Sequence, residues 1–257
     1  MTHTVDEFNI SESLRQSLRQ ARKVVVFTGA GVSAESGIPT FRDAMNGLWS
    51  QYRPEDLATR EAFRANPKLV WEWYEWRRAL VAKAQPNAAH VGIARLQDCV
   101  PELTIITQNV DGLHHAAGSR GVLELHGNIR RSKCFACERI ALEWSCDRET
   151  PPRCPHCGGR LRPDVVWFAE PLPKKTFSIA QAAAETCDVL FSIGTSSLVY
   201  PAAELPQRAH AARVTVIQIN PVPTPLSQIA AVNFYGKASA IVPAMLKAVW
   251  NIDCQFE

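Results

Sequence analysis

Lys23 is followed by Val24-Val25-Val26-Phe27, and that run passes directly into Thr28-Gly29-Ala30-Gly31. An unbroken run of β-branched and aromatic residues has no polar face to offer water. It fits a strand covered on both sides, as in a parallel sheet flanked by helices. Similar apolar runs occupy 103–107, 189–193 and 214–219, separated by stretches rich in Ala and Leu that suit helices. Ile10, Leu14 and Leu18 recur every four residues and predict an amphipathic helix over 10–22. Strands alternating with helices predict an α/β fold, a doubly wound, Rossmann-like parallel sheet. The length of 257 residues suits one large domain, or a large domain with a smaller insertion. Two segments break the rhythm: 44–83, rich in Trp, Arg and Glu, and 129–162, which holds paired cysteines. The expected division is 1–43, 84–128 and 163–257 for the large, sheet-bearing domain. A helical module at 44–83 and a cysteine-bearing ribbon at 129–162 would build the small one.

Gly29, Gly31 and Ala34 satisfy G-x-G-x-x-[G/A] straight after a predicted strand. Small residues there let the backbone approach a pyrophosphate, and a following helix would point its N-terminus at it. A plain strand-to-helix turn is the competing reading, since this pattern alone is weak. No acidic residue ends a second strand about 20 residues on, where a dehydrogenase would bind ribose. Trp49 and Tyr52 stand there instead. A nucleotide would therefore be held differently from an ordinary hydride-carrying cofactor.

Cys134-x-x-Cys137 and Cys154-x-x-Cys157 have the spacing of a tetrahedral four-thiolate zinc site. Four thiolates leave no open coordination position, so the zinc is expected to be structural. His156 is expected at the surface rather than on the metal. Cys99, Cys146, Cys187 and Cys254 have no partner pattern and read as packing or surface thiols.

Parallel sheets bind ligands beyond the carboxyl ends of their strands. Gln108, Asn109 and Asp111 follow the run 103–107; a locally capped polar turn is the alternative. His126 follows Val122-Leu123-Glu124-Leu125 and could serve as a general base near neutral pH, although a lone histidine is more often structural. Gly194-Thr195-Ser196-Ser197 and Asn220-Pro221 follow two further strands.

Taken in order, GAGVSAESGIPTFRD at 29–43, TQNVDGLH at 107–114, HG at 126–127, the cysteine pairs, VVWF at 165–168 and GTSS at 194–197 resemble the sirtuins. These are NAD-dependent protein deacylases, and the motifs cover most of the chain. The resemblance implies NAD as co-substrate and one structural zinc ion. It places the nucleotide near Gly29, Ala30, Gly31, Glu35, Thr40, Phe41, Arg42, Trp49, Gln108, Asn109, Asp111, Gly194, Thr195, Ser196, Asn220, Pro221, Val222 and Ala238. It implies that the acyl-lysine carbonyl attacks the nicotinamide ribose, nicotinamide leaves, and His126 acts as base on a ribose hydroxyl. Water then releases lysine and O-acyl-ADP-ribose. The acyl-lysine protein or peptide is expected to add as a strand beside Val165, Val166, Trp167 and Phe168. The chain departs from the family pattern at Ala169, where Gly is usual; a positive φ there would cost free energy.

In 66–83, Asn66 suits an N-cap and Pro67 the first helical position. Val70, Tyr74, Arg77 and Val81 fall on one stripe, which turns Tyr74 and Arg77 toward the interior. A snorkelling Arg paired with a carboxylate is the commoner case. The Tyr-x-x-Arg pair and Ala58 nevertheless resemble the acyl pocket of class III sirtuins. Succinyl or malonyl removal is therefore the expected activity, with deacetylation a further one.

Hydrophobic residues are 46% and charged residues 21%, and the formal net charge of +3 gives no strong nucleic-acid signal. No run reaches the roughly 18 apolar residues needed to cross a membrane. The first residues show neither a basic nor an apolar signal region, so a cytoplasmic monomer is expected. Two other functions fit parts of the sequence. Mono-ADP-ribosyl transfer would use the same nucleotide site. A zinc-ribbon nucleic-acid adaptor would use Arg130, Arg131 and Lys133, but the intact His126, Asn109 and Asp111 argue against a dead site.

Overall fold

The structure is a computed structural model that describes residues 10–39, 52–141, 143–144 and 149–253. Thr40, Phe41, Arg42 and Trp49 lie outside the described residues, as do Cys146 and Cys254. In chain order the elements are α1 (Glu12–Gln20), β1 (Lys23–Thr28), α2 (Pro54–Leu57), α3 (Arg60–Ala65), α4 (Pro67–Lys83) and α5 (Ala88–Leu96). Then come β2 (Glu102–Thr107), α6 (Leu113–Ala116), β3 (Leu123–Glu124), β4 (Gly127–Cys134), β5 (Ile140–Ala141) and β6 (Leu161–Val165). The chain continues with α7 (Lys174–Thr186), β7 (Val189–Ile193), α8 (Glu204–Ala211), β8 (Thr215–Asn220), β9 (Val232–Tyr235) and α9 (Ala238–Trp250).

The large sheet runs β3-β2-β1-β7-β8-β9 with every pair parallel. The order of strands runs outward one way from β1 through β2 to β3 and the other way from β7 through β8 to β9, so the carboxyl ends of β1 and β7 flank a topological switch point, where such sheets bind nucleotides. Both faces of the sheet are covered. Val24, Val26, Phe191 and Ile217 pack under α5 and α9, while Val25, Phe27, Leu190 and Val216 pack under α7 and α8. This explains the absence of hydrophobic alternation in these strands.

The glycine-rich turn departs from expectation. β1 does not run straight into an α-helix; two single 3-10 turns follow it, Ala30–Val32 and Ala34–Ser36. The backbone folds back on itself within nine residues rather than running out along a helix axis.

A second, three-stranded sheet, β5-β4-β6, is antiparallel and begins at Gly127, one residue after His126. Helix α4 starts as expected, with Asn66 Oδ1 accepting from the Leu69 amide and Pro67 in the first turn. It is fastened to β4 by Arg78, whose guanidinium donates to Ile129 O (2.7 Å), Arg131 O (3.2 Å) and Ser132 Oγ (2.9 Å). The same guanidinium stacks on Trp71 and Trp144. Phe63, Val70, Trp73, Tyr74, Ile129, Val165 and Trp167 form one core between these helices and the small sheet. No helix among the described residues is long and apolar enough to cross a membrane.

Candidate active site and zinc centre

Two loops interlock at the switch point. The Gly29 amide donates to Ile193 O (3.1 Å), and the Gly31 amide to Gly194 O (2.8 Å). A Cβ at Gly29 or Gly31 would stand 2.8 Å from atoms of Gly194 or Thr195, and one at Gly194 would stand 2.4 Å from Val32 N. These glycines are therefore demanded first by the contact between the two loops.

The residues after β2 are drawn into this junction. The Gln108 amide donates to Thr28 O (3.0 Å), and Gln108 Nε2 to Thr195 Oγ1 (3.1 Å). Asn109 Nδ2 donates to Gly29 O and Ser33 Oγ, both at 3.1 Å. Asp111 is buried, and its carboxylate accepts from Ser33 Oγ and the Leu113 amide, both at 2.8 Å. Burial raises its pKa, while the Leu113 and Ser33 bonds and the charges of Arg130 and Arg77 oppose the rise. Thr195 is buried and Gln108 half-buried, whereas Ser196 is exposed. Ser197 Oγ is buried without a hydrogen-bond partner, so the second loop keeps unspent polar capacity.

His126 sits between the two sheets, in the single-residue gap after Leu125 that precedes β4. Its Nδ1 lies 2.8 Å from Gln108 O, and its own carbonyl accepts from the Val166 amide (2.9 Å). A carbonyl can only accept, so Nδ1 carries the proton and the neutral ring has its lone pair on Nε2. Burial lowers its pKa and favours the neutral ring, while the Gln108 bond partly opposes the shift.

Other expected nucleotide contacts stand apart from this cluster. Glu35 is tied to the start of α9: its carboxylate accepts from the Ser239 hydroxyl and amide and pairs with Lys237 (3.3 Å), beside buried Ala238. Asn220 Nδ2 donates to Val222 O (2.8 Å), closing a turn that leaves Pro221 and Val222 exposed after β8.

On the other side of Asp111, Ala58, Tyr74, Val165 and Trp167 share the core beside α4. Trp167 Nε1 donates to Tyr74 Oη (3.0 Å), and the Phe168 amide to Ala58 O (2.9 Å). Arg77 lies 5.0 Å from the Trp73 ring and 5.9 Å from the Tyr74 ring. Burial lowers its pKa, opposed by Tyr74 and Asp111. Burial likewise raises the Tyr74 pKa and keeps the phenol neutral. The amides of Val166, Trp167 and Phe168 are already engaged, by His126 O, Glu170 Oε2 and Ala58 O respectively. A peptide strand beside this segment must therefore use other backbone groups. Ala169 does adopt a positive φ, +63°, in the turn that delivers Glu170.

Several participants were not singled out from the sequence. Ser33 lies within the glycine-rich segment but looked like one small residue among several. His90 caps α5 reciprocally with Asn87, and its Nε2 lies 3.3 Å from Ser33 Oγ. Asn87 Nδ2 also donates to Val32 O (2.8 Å), pinning the glycine loop to α5. The Asn87-x-x-His90 capping pattern was the available signal. Arg162 and Glu170 pair across the small sheet at 2.5 Å, and no local pattern joins them.

The four paired cysteines converge. All four Sγ atoms lie within 4.8 Å of one another, with Cys134 and Cys157 at 3.4 Å and Cys137 and Cys154 at 3.9 Å. A tetrahedron with metal–sulfur bonds of about 2.3 Å has edges of about 3.8 Å, so the donor set fits zinc. The Ala136 and Cys137 amides point at Cys134 Sγ (3.3 and 3.4 Å), as expected around a thiolate. His156 is exposed and stays outside the cluster.

Comparison with known proteins agrees with this arrangement. The model of the Sir2 family matches residues 29–201. An NAD-dependent protein deacylase of Methylococcus capsulatus is 50% identical over 247 residues, covering 93% of this chain and 97% of that protein. One from Aquifex aeolicus is 52% identical over 217 residues, covering 84% and 90%. Among solved structures, a Sir2 homolog–NAD complex superposes with a TM-score of 0.88 at 43% identity, covering 95% of each chain. A Sir2–p53 peptide–NAD+ complex does so with 0.81 at 30%, covering 92% of this chain and 97% of that one. With the interlocked glycine loops, the histidine between the sheets and the cysteine cluster all in place, this chain belongs to the Sir2 family.

Proposed function

We propose that this chain is an NAD-dependent protein-lysine deacylase that acts on acyl-lysine peptides and proteins, with succinyl- and malonyl-lysine among its substrates. The observation that carries the reading is His126. It is neutral, held by Gln108 O through Nδ1, and presents Nε2 as a base where the large sheet meets the small one. NAD supplies an electrophilic ribose carbon and a nicotinamide leaving group. Ser33, Asn109 and Asp111 orient the polar end of the crevice, and Thr195 and Ser197 offer hydroxyls on its second wall. Cys134, Cys137, Cys154 and Cys157 hold a structural zinc ion, and the described residues of the segments 44–83 and 129–162 belong together in one small domain.

The acyl preference rests on Tyr74 and Arg77. A carboxylate taken into a buried channel needs a paired charge and hydrogen bonds, and these two side chains, the Arg77 guanidinium 5.9 Å from the Tyr74 ring, supply a cation and a neutral donor. One experiment tests both levels: NAD-dependent turnover of matched acetyl-, malonyl- and succinyl-lysine peptides, followed by nicotinamide release and free lysine. No turnover of any peptide would overturn the deacylase reading. Turnover of acetyl peptides alone would overturn the acyl preference. Metal analysis is expected to give one zinc per chain, and an active, metal-free protein would refute the zinc assignment.

A further inference from the structure

Trp167 was expected to meet substrate, yet it is only 2% exposed. Its indole Nε1 donates to Tyr74 Oη at 3.0 Å. A phenol whose oxygen accepts this bond still has its own O–H to give, and its orientation is no longer free. A carboxylate accepts and never donates, so a tyrosine fixed as a donor suits it. An acetyl group ends in a methyl and brings no acceptor to that depth.

Trp167 is itself immobilised. The Arg162 guanidinium lies 3.3 Å from its ring centroid, and the Phe63 ring 5.4 Å away. Its backbone amide donates to Glu170 Oε2 (2.9 Å). Arg162 is 1% exposed and held by Glu170 Oε1 (2.5 Å), Glu170 Oε2 (2.9 Å) and Val165 O (2.7 Å). Arg60 adds a second cation to Glu170 at 3.1 Å. Glu170, Arg162, Trp167 and Tyr74 thus form a continuous support that ends at the phenol oxygen.

We propose that Trp167 is a positioning residue for acyl specificity: its indole N–H holds the Tyr74 hydroxyl as a proton donor, so discrimination between carboxylate-bearing and uncharged acyl-lysines depends on Trp167 without Trp167 touching the carboxylate. The proposal rests on the reading of Tyr74 and Arg77 given above.

The test is a double-mutant cycle of Trp167→Phe and Tyr74→Phe, read as the ratio of kcat/KM for succinyl over acetyl peptides. Using the ratio cancels general losses in packing or NAD binding. Removing one neutral hydrogen bond is worth roughly 3- to 12-fold, so Trp167→Phe is expected to lower the ratio by about that factor. Tyr74→Phe should lower it at least as much, and the double variant should match Tyr74→Phe within about twofold, because Trp167 acts only through the phenol. Replacing Trp167 by β-(3-benzothienyl)alanine keeps the bicyclic shape and swaps N–H for sulfur. It should reproduce the Trp167→Phe ratio even if the smaller ring unsettles the core. An unchanged ratio in that isostere, beside a lowered ratio in Tyr74→Phe, overturns the proposal and leaves the acyl reading standing. So does a double variant whose loss is the product of the two single losses. A wild-type protein that ignores succinyl peptides overturns both.

Discussion

At the sheet ends, Gln108, Asn109 and Asp111 are fixed largely by backbone and by small hydroxyl groups. Beside α4, Tyr74, Trp167, Arg162 and Glu170 are fixed by one another. The first arrangement is inherited from a parallel sheet whose strands all stop at one level, so the polar groups arrive in register. The second is assembled from a helix, an antiparallel strand and a turn, and its precision comes from ring stacking and one buried ion pair. The first should set whether the reaction runs at all, and the second which acyl group it runs on.

The comparison breaks most easily at His126. His126→Ala is expected to cost about 10²–10⁴ in turnover, with the same factor for acetyl, malonyl and succinyl peptides and an unchanged circular dichroism spectrum. A loss confined to one acyl group would mean that the two regions do not divide the labour in this way. Arg77→Met should do the reverse. Truncating one side of a buried charge pair costs roughly 2–5 kcal/mol, which is about 30- to several-thousand-fold at about 1.4 kcal/mol per decade. That loss should fall on succinyl and malonyl peptides. Equal losses on acetyl peptides would reduce Arg77 to a support of the fold.

Acid should separate the regions by stability. His90 and His114 stack at 5.0 Å behind the glycine loop. Burial lowers the pKa of His90 to about 4, and burial with the charges of His90 and His115 lowers that of His114 to about 3. The folded form therefore stays neutral where the unfolded chain takes up protons. Their contribution is complete above about pH 6.5 and is lost as pH falls toward about 4 for His90 and about 3 for His114, at up to about 3 kcal/mol per pH unit for the two together. Asp111, raised by burial, offsets part of this as it protonates. Urea unfolding at pH 7, 6 and 5 measures the slope; a flat profile would show that the pair is not held neutral.

The smallest effect belongs to Ala169. A non-glycine residue in the left-handed region costs roughly 1–2 kcal/mol, and glycine returns part of that through its looser unfolded chain. Ala169→Gly is therefore expected to stabilise by about 1 kcal/mol, or about 2–4 °C in Tm. A lower Tm would mean that the turn before Glu170 prefers its side chain.

The same contrast governs what could be read from the sequence. The strands β1, β2, β7 and β8 are continuous apolar runs, and the cysteine pairs carry their own spacing, so the sheet and the metal cluster were legible. Strand β4, Gly-Asn-Ile-Arg-Arg-Ser-Lys-Cys, is largely polar. Its pairing depends on Arg78 and on a partner strand that begins 27 residues after it ends, and no local pattern shows this. The turns after Gly29 were expected to open a helix. The competing principle was tertiary: Asn87 and Gly194 hold that segment folded back from positions far along the chain. Tyr74 and Arg77 were placed by helical periodicity, but Trp167, Arg162 and Glu170 became connected only once β6 and its following turn were in space.

The contact between the Gly29–Gly31 turn and Gly194 also bears on how such a site can be altered. Each loop occupies the volume that a side chain on the other would need, with backbone atoms rather than flexible tips as the obstacle. Neither can accept even a methyl group while the other keeps its path. Two stretches separated by more than 160 residues thus behave as one exchangeable part. A library that varies either loop alone explores only collisions, whereas grafting both together from a single donor preserves the fit.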